Sequence, residues 1–263
     1  MEAVFGRSYS NMRVTVNGVS IYATGKEGTL PTLIFLHGAG MSHLVWVKVA
    51  RLMEELGYGT LMIDLPGHGQ SDGPPLPTIK QLGDCIAACV NTLNVKEPIL
   101  LGHSMGAMVA MVAAKNKDIM LSGVIFCGIA ERLAVHPNLL RMASANRHQA
   151  ETLIAKWSIA ASAHEIDLSP YFTSQDDYVL PIDLKACDEY DKALKDITRI
   201  TNPKLFILGA KDKMTPPVKA KPLIAASGNA QSVELKRCGH MMQLEAPEKV
   251  AAAIDEFFKT THA

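Results

Sequence analysis

The chain has no excess of charge of either sign: 26 lysines and arginines stand against 26 aspartates and glutamates. A protein that binds nucleic acid carries a basic surplus to meet phosphates, so nucleic acid is not an expected partner. Long hydrophobic runs are also missing. No apolar stretch reaches the roughly 18 residues that span a bilayer, so no membrane span is expected. Met1 to Met12 is polar, contains Arg7 and lacks the apolar core of a secretory signal. The five cysteines are an odd number without paired spacing. Cys85 and Cys89 sit one helical turn apart but have no second ligand pair, so they read as helix-packing thiols; no metal is expected, and the compartment reads as reducing and cytoplasmic. Walker spacing with its Lys-Ser/Thr is absent, as is a Gly-x-Gly-x-x-Gly with a following acid. A dinucleotide reading fails on that ground, and no cofactor is expected.

What is present is a regular alternation. Met12 to Val16 and Val19 to Ala23 flank Asn17-Gly18, a strong hairpin turn. Buried-strand patterns follow at Thr32 to Leu36, Thr60 to Asp64, Pro98 to Leu101, Gly123 to Cys127, Lys204 to Leu208 and Ser232 to Leu235. Helical patterns lie between and after them, at Leu44 to Leu56, Thr78 to Leu93 with Thr78 as N-cap, Pro217 to Ala226 and Pro247 to Lys259. A hairpin followed by repeated β-α units predicts a mostly parallel, eight-stranded α/β sheet with helices on both faces and antiparallel strands at its first edge. The rhythm breaks between Glu131 and Arg199, where helical patterns (Asn138 to Ile159, Leu184 to Ile197) occur without a buried strand. We read residues 131–199 as a helical cap inserted after the sixth strand, and residues 1–130 and 200–263 as the core domain.

Residues 102–106 read Gly-His-Ser-Met-Gly, directly after a buried strand and before a helix of small apolar residues. Gly-x-Ser-x-Gly in that context is a nucleophile elbow, which holds the serine hydroxyl out of a tight turn. A serine nucleophile needs a base, and the base an orienting carboxylate. Nine histidines are available, and position selects among them: His240 follows the last strand, and Asp212 follows the one before it. Both then fall at the same edge of the sheet as Ser104, in the chain order Ser, Asp, His. Each also has a plainer reading, Asp212 as a helix cap and His240 as a loop residue. Two backbone N–H groups are needed for an oxyanion. Met105, at the positive end of its helix, is one candidate. Ala39, in the bend His37-Gly38-Ala39-Gly40, is the other.

With these segments the chain resembles the capped esterases and lipases of the α/β-hydrolase fold. The resemblance runs from Met12 to the end. It is carried by the His-Gly-Ala-Gly bend, Asp64-Leu65-Pro66-Gly67-His68-Gly69-Gln70-Ser71, the Gly102–Gly106 elbow, Gly209 to Asp212, and Gly239-His240 followed by Leu244-Glu245-Ala246-Pro247. It implies a helical lid. It also implies that Asp64 to Ser71 is a structural loop, with His68 and His103 as packing or hydrogen-bonding histidines. Haloalkane dehalogenases share this fold but use a carboxylate nucleophile, and Ser104 argues against that reaction. The expected activity is hydrolysis of a small to medium, mainly apolar carboxylic ester through an acyl-enzyme. The alternatives are carbon–carbon bond cleavage or lactone opening on the same residues, or a small-ligand receptor with slow turnover. Trp46, Leu133, Trp157, Met241 and Met242 are candidate pocket residues, and Tyr171, Phe172 and Tyr178 candidate lid residues. Oligomeric state leaves no trace in the sequence.

Overall fold

The strand segments divide by burial pattern. β3 (Leu30–Leu36), β4 (Tyr58–Ile63), β5 (Ile99–His103), β6 (Gly123–Cys127) and β7 (Lys204–Gly209) are buried almost throughout, as strands covered on both faces must be. β1 (Met12–Val16) alternates toward its end, and β8 (Ala230–Leu235) is mostly open; these are the two edges. β2 (Val19–Lys26) completes an eight-stranded sheet in the order β1-β2-β4-β3-β5-β6-β7-β8. β1 pairs antiparallel with β2, β2 antiparallel with β4, and the other neighbours run parallel. The structure is a computed structural model that describes residues 12–95, 97–160, 166–173 and 177–261.

Strand periodicity splits the core in two. Ile34 and Leu36 of β3 face one side, packed with α2 (Ile79–Leu93) and α3 (Met105–Ala114). Leu33 and Phe35 face the other, packed with α1 (Val47–Glu55) and α10 (Pro247–Thr261). Thr78 caps α2 as expected, its hydroxyl accepting Gln81 N–H. After β3 the chain goes to β4 on one side, then crosses back to β5 on the other. In an open parallel sheet such a reversal leaves a crevice at the strand ends, where ligands bind. The loops after β3 and β5 meet there.

Between Cys127 and Lys204 the chain leaves the sheet, and the described residues there form four α-helices, α4 (Pro137–Ala145), α5 (Arg147–Ser158), α6 (Val179–Glu189) and α7 (Ala193–Ile197). Two continuous helical patterns are each broken. At Asn146 the backbone is extended (φ −156°, ψ 92°), and its side chain accepts Gln149 N–H to cap α5. Asn suits such a cap better than a helix interior. Tyr190 is likewise extended and ends α6. α7 lies beside α3 and α8 (Pro217–Ala226), with Ala193 and Ile197 in the core of that sheet face. The last helices are α9 (Met242–Glu245) and α10. Among the described residues no helix is long and apolar enough to cross a membrane.

Candidate active site

The turn after β5 is fixed by backbone crowding. A Cβ on Gly102 would run into the Gly106 carbonyl, and one on Gly106 would lie 2.5 Å from the Leu36 and His37 carbonyl oxygens. Only hydrogen fits at either place, so β5 can turn straight into α3. Ser104, at the apex, has φ 55° and ψ −115°. A positive φ is strained for a residue with a Cβ and persists only when its surroundings impose it. Ser104 N–H donates to the Cys127 carbonyl at 3.0 Å, tying the apex to the end of β6.

Asp212 follows β7 and His240 follows β8. His240 Nδ1 and Asp212 Oδ2 are 2.7 Å apart, with both side chains buried. A carboxylate accepts, so Nδ1 carries the proton and Nε2 is left as the basic nitrogen. Thr215 Oγ1 donates to the same Asp212 oxygen at 2.7 Å, and Met214 and Thr215 N–H donate to the other at 2.8 Å each. Burial alone would raise the Asp212 carboxyl. The charge of His240 and hydrogen bonds from His240 and Thr215 outweigh it and hold the group well below the usual carboxylate range. Asp212 thus orders its own turn and pairs with His240, but it does not cap α8, which follows Pro216 without a side-chain cap. The His240 loop is held from three directions. Its N–H donates to Ser158 O at 2.6 Å, and His103 Nε2 meets its carbonyl at 2.9 Å. Glu245 accepts the Gly239 N–H at 2.9 Å and the Ala160 N–H at 3.0 Å.

The turn after β3 is fixed by a histidine. Leu65 N–H donates to His37 Nε2 at 3.0 Å, so Nδ1 bears the proton and donates to Gly38 O at 2.9 Å. Met41 N–H meets the same carbonyl at 3.2 Å. Gly38 C=O and Ala39 N–H belong to one trans peptide and point in opposite directions. Fastening the carbonyl therefore fixes the direction of Ala39 N–H; Ala39 itself borders a cavity. Burial, then the charge of His68, pushes the His37 imidazole down to about 4. Burial, then the charge of His240, pushes His103 down to about 3. Both are neutral hydrogen-bonding groups rather than bases.

The cavity has a volume of about 380 Å³ and brings together Ala39, Ser104 and His240 from the strand ends with Leu133, Trp157 and Met241. α4, α5 and α6 contribute Leu139, Ile154, Ser158 and Leu184; α7 contributes nothing. Lys213 is exposed and lines the cavity, and among the described residues no carboxylate does. Met105 is buried beneath, at the first turn of α3, where helix N–H groups have no partner of their own. Two expected pocket residues lie elsewhere. Trp46 is fully buried against Phe35, and its indole N–H takes the Leu36 carbonyl at 3.1 Å, as a buried Trp requires. Met242 opens α9 inside the core, and only its neighbour Met241 reaches the cavity. Tyr171 and Phe172 pair with Ser42 and Met41, and Tyr178 is largely exposed; none lines the cavity.

His103 hydrogen-bonds as expected, whereas Thr215 and Glu245 carry hydrogen bonds that the sequence did not announce. Asp212-x-x-Thr215 has the spacing of a capping turn and held a signal. Glu245 was visible only as part of a family pattern.

A doubly covered parallel sheet with a strained serine between β5 and α3, and a His–Asp pair at the neighbouring strand ends, defines a class of hydrolytic folds. The chain belongs to the alpha/beta hydrolase family, whose model matches residues 33–253. An uncharacterised hydrolase of Bacillus subtilis, YugF, is 25% identical over 268 residues, which cover 94% of this chain and 97% of YugF. The enol-lactonase from Burkholderia xenovorans LB400 has the same fold, with a TM-score of 0.84 and 22% identity over 94% of this chain and all of its own. An esterase from Exiguobacterium antarcticum matches with a TM-score of 0.84 and 20% identity, over 95% of this chain and 99% of its own.

Proposed function

We propose that the protein is a serine hydrolase that cleaves small to medium, mainly apolar carboxylic esters. The observation that carries this reading is the 2.7 Å His240–Asp212 pair beside the same apolar cavity as Ser104. In the reaction, His240 Nε2 takes the Ser104 proton as Oγ attacks the ester carbonyl. The Ala39 and Met105 N–H groups hold the oxyanion, and Asp212 stabilises the imidazolium. The C–O bond to the alcohol breaks, and His240 returns the proton to the leaving alcohol. Water, deprotonated by His240, then attacks the acyl-enzyme, releasing the acid and restoring Ser104. Residues 131–199 act as the cap, with α4 to α6 shaping the pocket. The five buried, unpaired cysteines support a cytoplasmic setting.

Lys213 favours a second reading, in which the ester is a lactone or carries a remote carboxylate that the lysine meets. A panel of p-nitrophenyl esters of increasing acyl length, with a lactone and a carboxylate-bearing ester beside them, tests both. We expect short neutral esters to turn over and Ser104→Ala to remove that turnover. Near-normal rates in Ser104→Ala would overturn the assignment, and turnover confined to the anionic or cyclic substrates would favour the second reading.

A further inference from the structure

Behind the turn that follows β3 lies a buried acid that the reaction above does not use. Asp183, on α6, is completely buried, and its partners come from two distant loops. Its Oδ2 accepts the Gly40 N–H at 2.7 Å and meets His68 Nε2 at 2.7 Å. His68 is equally buried, and its Nδ1 faces the Pro66 carbonyl at 3.0 Å. A carbonyl and a carboxylate both only accept, so both ring nitrogens carry protons and His68 is an imidazolium. Burial opposes that charge, but the neighbouring Asp183 charge and hydrogen bond prevail and raise the group above its ordinary value. Asp183 Oδ1 takes no hydrogen bond among the described residues, so the carboxylate works through Oδ2 alone. A buried ion pair is a poor source of stability, because desolvation offsets the attraction. What this pair does hold is a conformation.

Gly40 N–H is the donor of the peptide that follows Ala39. His37 and Met41 fasten the peptide before Ala39 through the Gly38 carbonyl, and Asp183 fastens the one after it. The two planes share only the Ala39 Cα, so together the clamps leave Ala39 N–H little freedom to swing. α6 sits directly on the turn. Gly40 has φ 66°, and a Cβ there would lie 2.7 Å from Leu180 Cδ1, one helical turn before Asp183. We infer that Asp183 is a positioning residue for the oxyanion site: from α6, with His68 as its counter-ion, it holds Gly40 N–H and so aims Ala39 N–H. The inference rests on the role proposed for Ala39. It gives the inserted helices a part in turnover itself, since the oxyanion turn is incomplete without α6.

The test compares Asp183→Ala and Asp183→Asn with the wild-type chain, each well below its own unfolding temperature. The readouts are kcat and KM on p-nitrophenyl butyrate and the amide NMR signals of Ala39 and Gly40. Asp183→Ala is expected to lower kcat roughly a hundredfold with KM nearly unchanged, as loss of an oxyanion donor does. Asp183→Asn is expected to recover to within about tenfold of wild type, because its carbonyl oxygen, in the place of Oδ2, still accepts the Gly40 N–H and the His68 Nε2–H. The Gly40 amide proton, deshielded by the carboxylate, is expected to move upfield in Asp183→Ala. If that variant fails to fold with His68 left unpaired, the double variant Asp183→Leu, His68→Leu removes both charges and still lacks the acceptor. It is expected to fold and show the same fall in kcat. Unchanged kcat in folded Asp183→Ala or in the folded double variant overturns the inference. Absence of Ser104-dependent turnover in the wild-type chain sinks the hydrolase reading instead. The amide signals then decide alone, and Ala39 and Gly40 signals unmoved by Asp183→Ala would show that Asp183 does not order the turn.

Discussion

Ser104 and Trp157 border one cavity but are held there by different kinds of force. Ser104 is set by its own backbone: two flanking glycines with no room for a Cβ, a strained φ, and one hydrogen bond to the next strand. Trp157 rides on an inserted helix that touches the sheet edge through few, long-range bonds, such as His240 N–H to Ser158 O and Ala160 N–H to Glu245. The strand ends are stiff because the sheet over-determines them. The inserted helices share the apolar core with the sheet, Leu139, Ile154 and Leu184 among them, and on the reading proposed above their sequence varies the pocket while the reacting groups stay still. On that view the sheet edge sets whether an ester is cleaved, and α4 to α6 set which one. The Asp183 bond to Gly40 is the place where the division is not clean.

The largest effect expected at the sheet edge comes from Asp212→Asn. The amide cannot hold His240 in the Nδ1–H tautomer, and kcat on every ester should fall by about 10⁴ with KM little changed. Steady-state kinetics on three acyl lengths checks it; a loss confined to one length would break the comparison. A smaller effect of another kind is expected from the inserted helices. Trp157→Ala enlarges the cavity, so kcat/KM for a hexanoate ester should rise roughly tenfold relative to acetate, with kcat on acetate within a few-fold. An equal fall for both esters would instead place Trp157 with the reacting groups.

A further effect is one of stability rather than of rate. His37 and His103 are buried neutral, pushed from an ordinary 6.5 to about 4 and about 3. An unfolded chain binds those protons first as the solution acidifies. Their contribution is therefore complete above pH 6.5 and lost as pH falls from 6.5 toward 4; for His37 the full loss is on the order of 3 kcal/mol. His68, raised by Asp183, has the opposite sign: its contribution is complete below 6.5 and fades as pH rises through its folded value. Melting temperature should thus decline from pH 7 to pH 4.5, less steeply in His103→Gln and more steeply when His68 is replaced by glutamine. A wild-type curve that rises across that range would contradict the neutral assignments.

The parallel sheet and the elbow were legible because their causes are local. Continuous apolar runs mark strands buried on both faces, and the glycines around Ser104 mark a turn that admits no side chain. Asp212 and His240 were legible through their place after the last two strands. Trp46 misled because an aromatic near the oxyanion bend looks like a pocket wall. Its indole N–H found the Leu36 carbonyl inside the core instead. The breaks at Asn146 and Tyr190 escaped because apolar periodicity continues across them, although Asn146 is itself a good cap. Nothing in the chain announced Asp183. Its partner amide lies 143 positions away, and a helical aspartate ordinarily reads as a solvated face.

The most direct measurement is to trap the acyl group. Quenching the protein in acid during turnover of a p-nitrophenyl ester, then mapping the added mass by peptide mass spectrometry, locates the nucleophile. The acyl mass is required on Ser104 in the wild-type chain, strongly reduced when His240 is replaced because His240 is the base for acylation, and absent from Ser104→Ala. An acyl mass on another residue, or ester turnover with Ser104 never modified, would contradict that assignment.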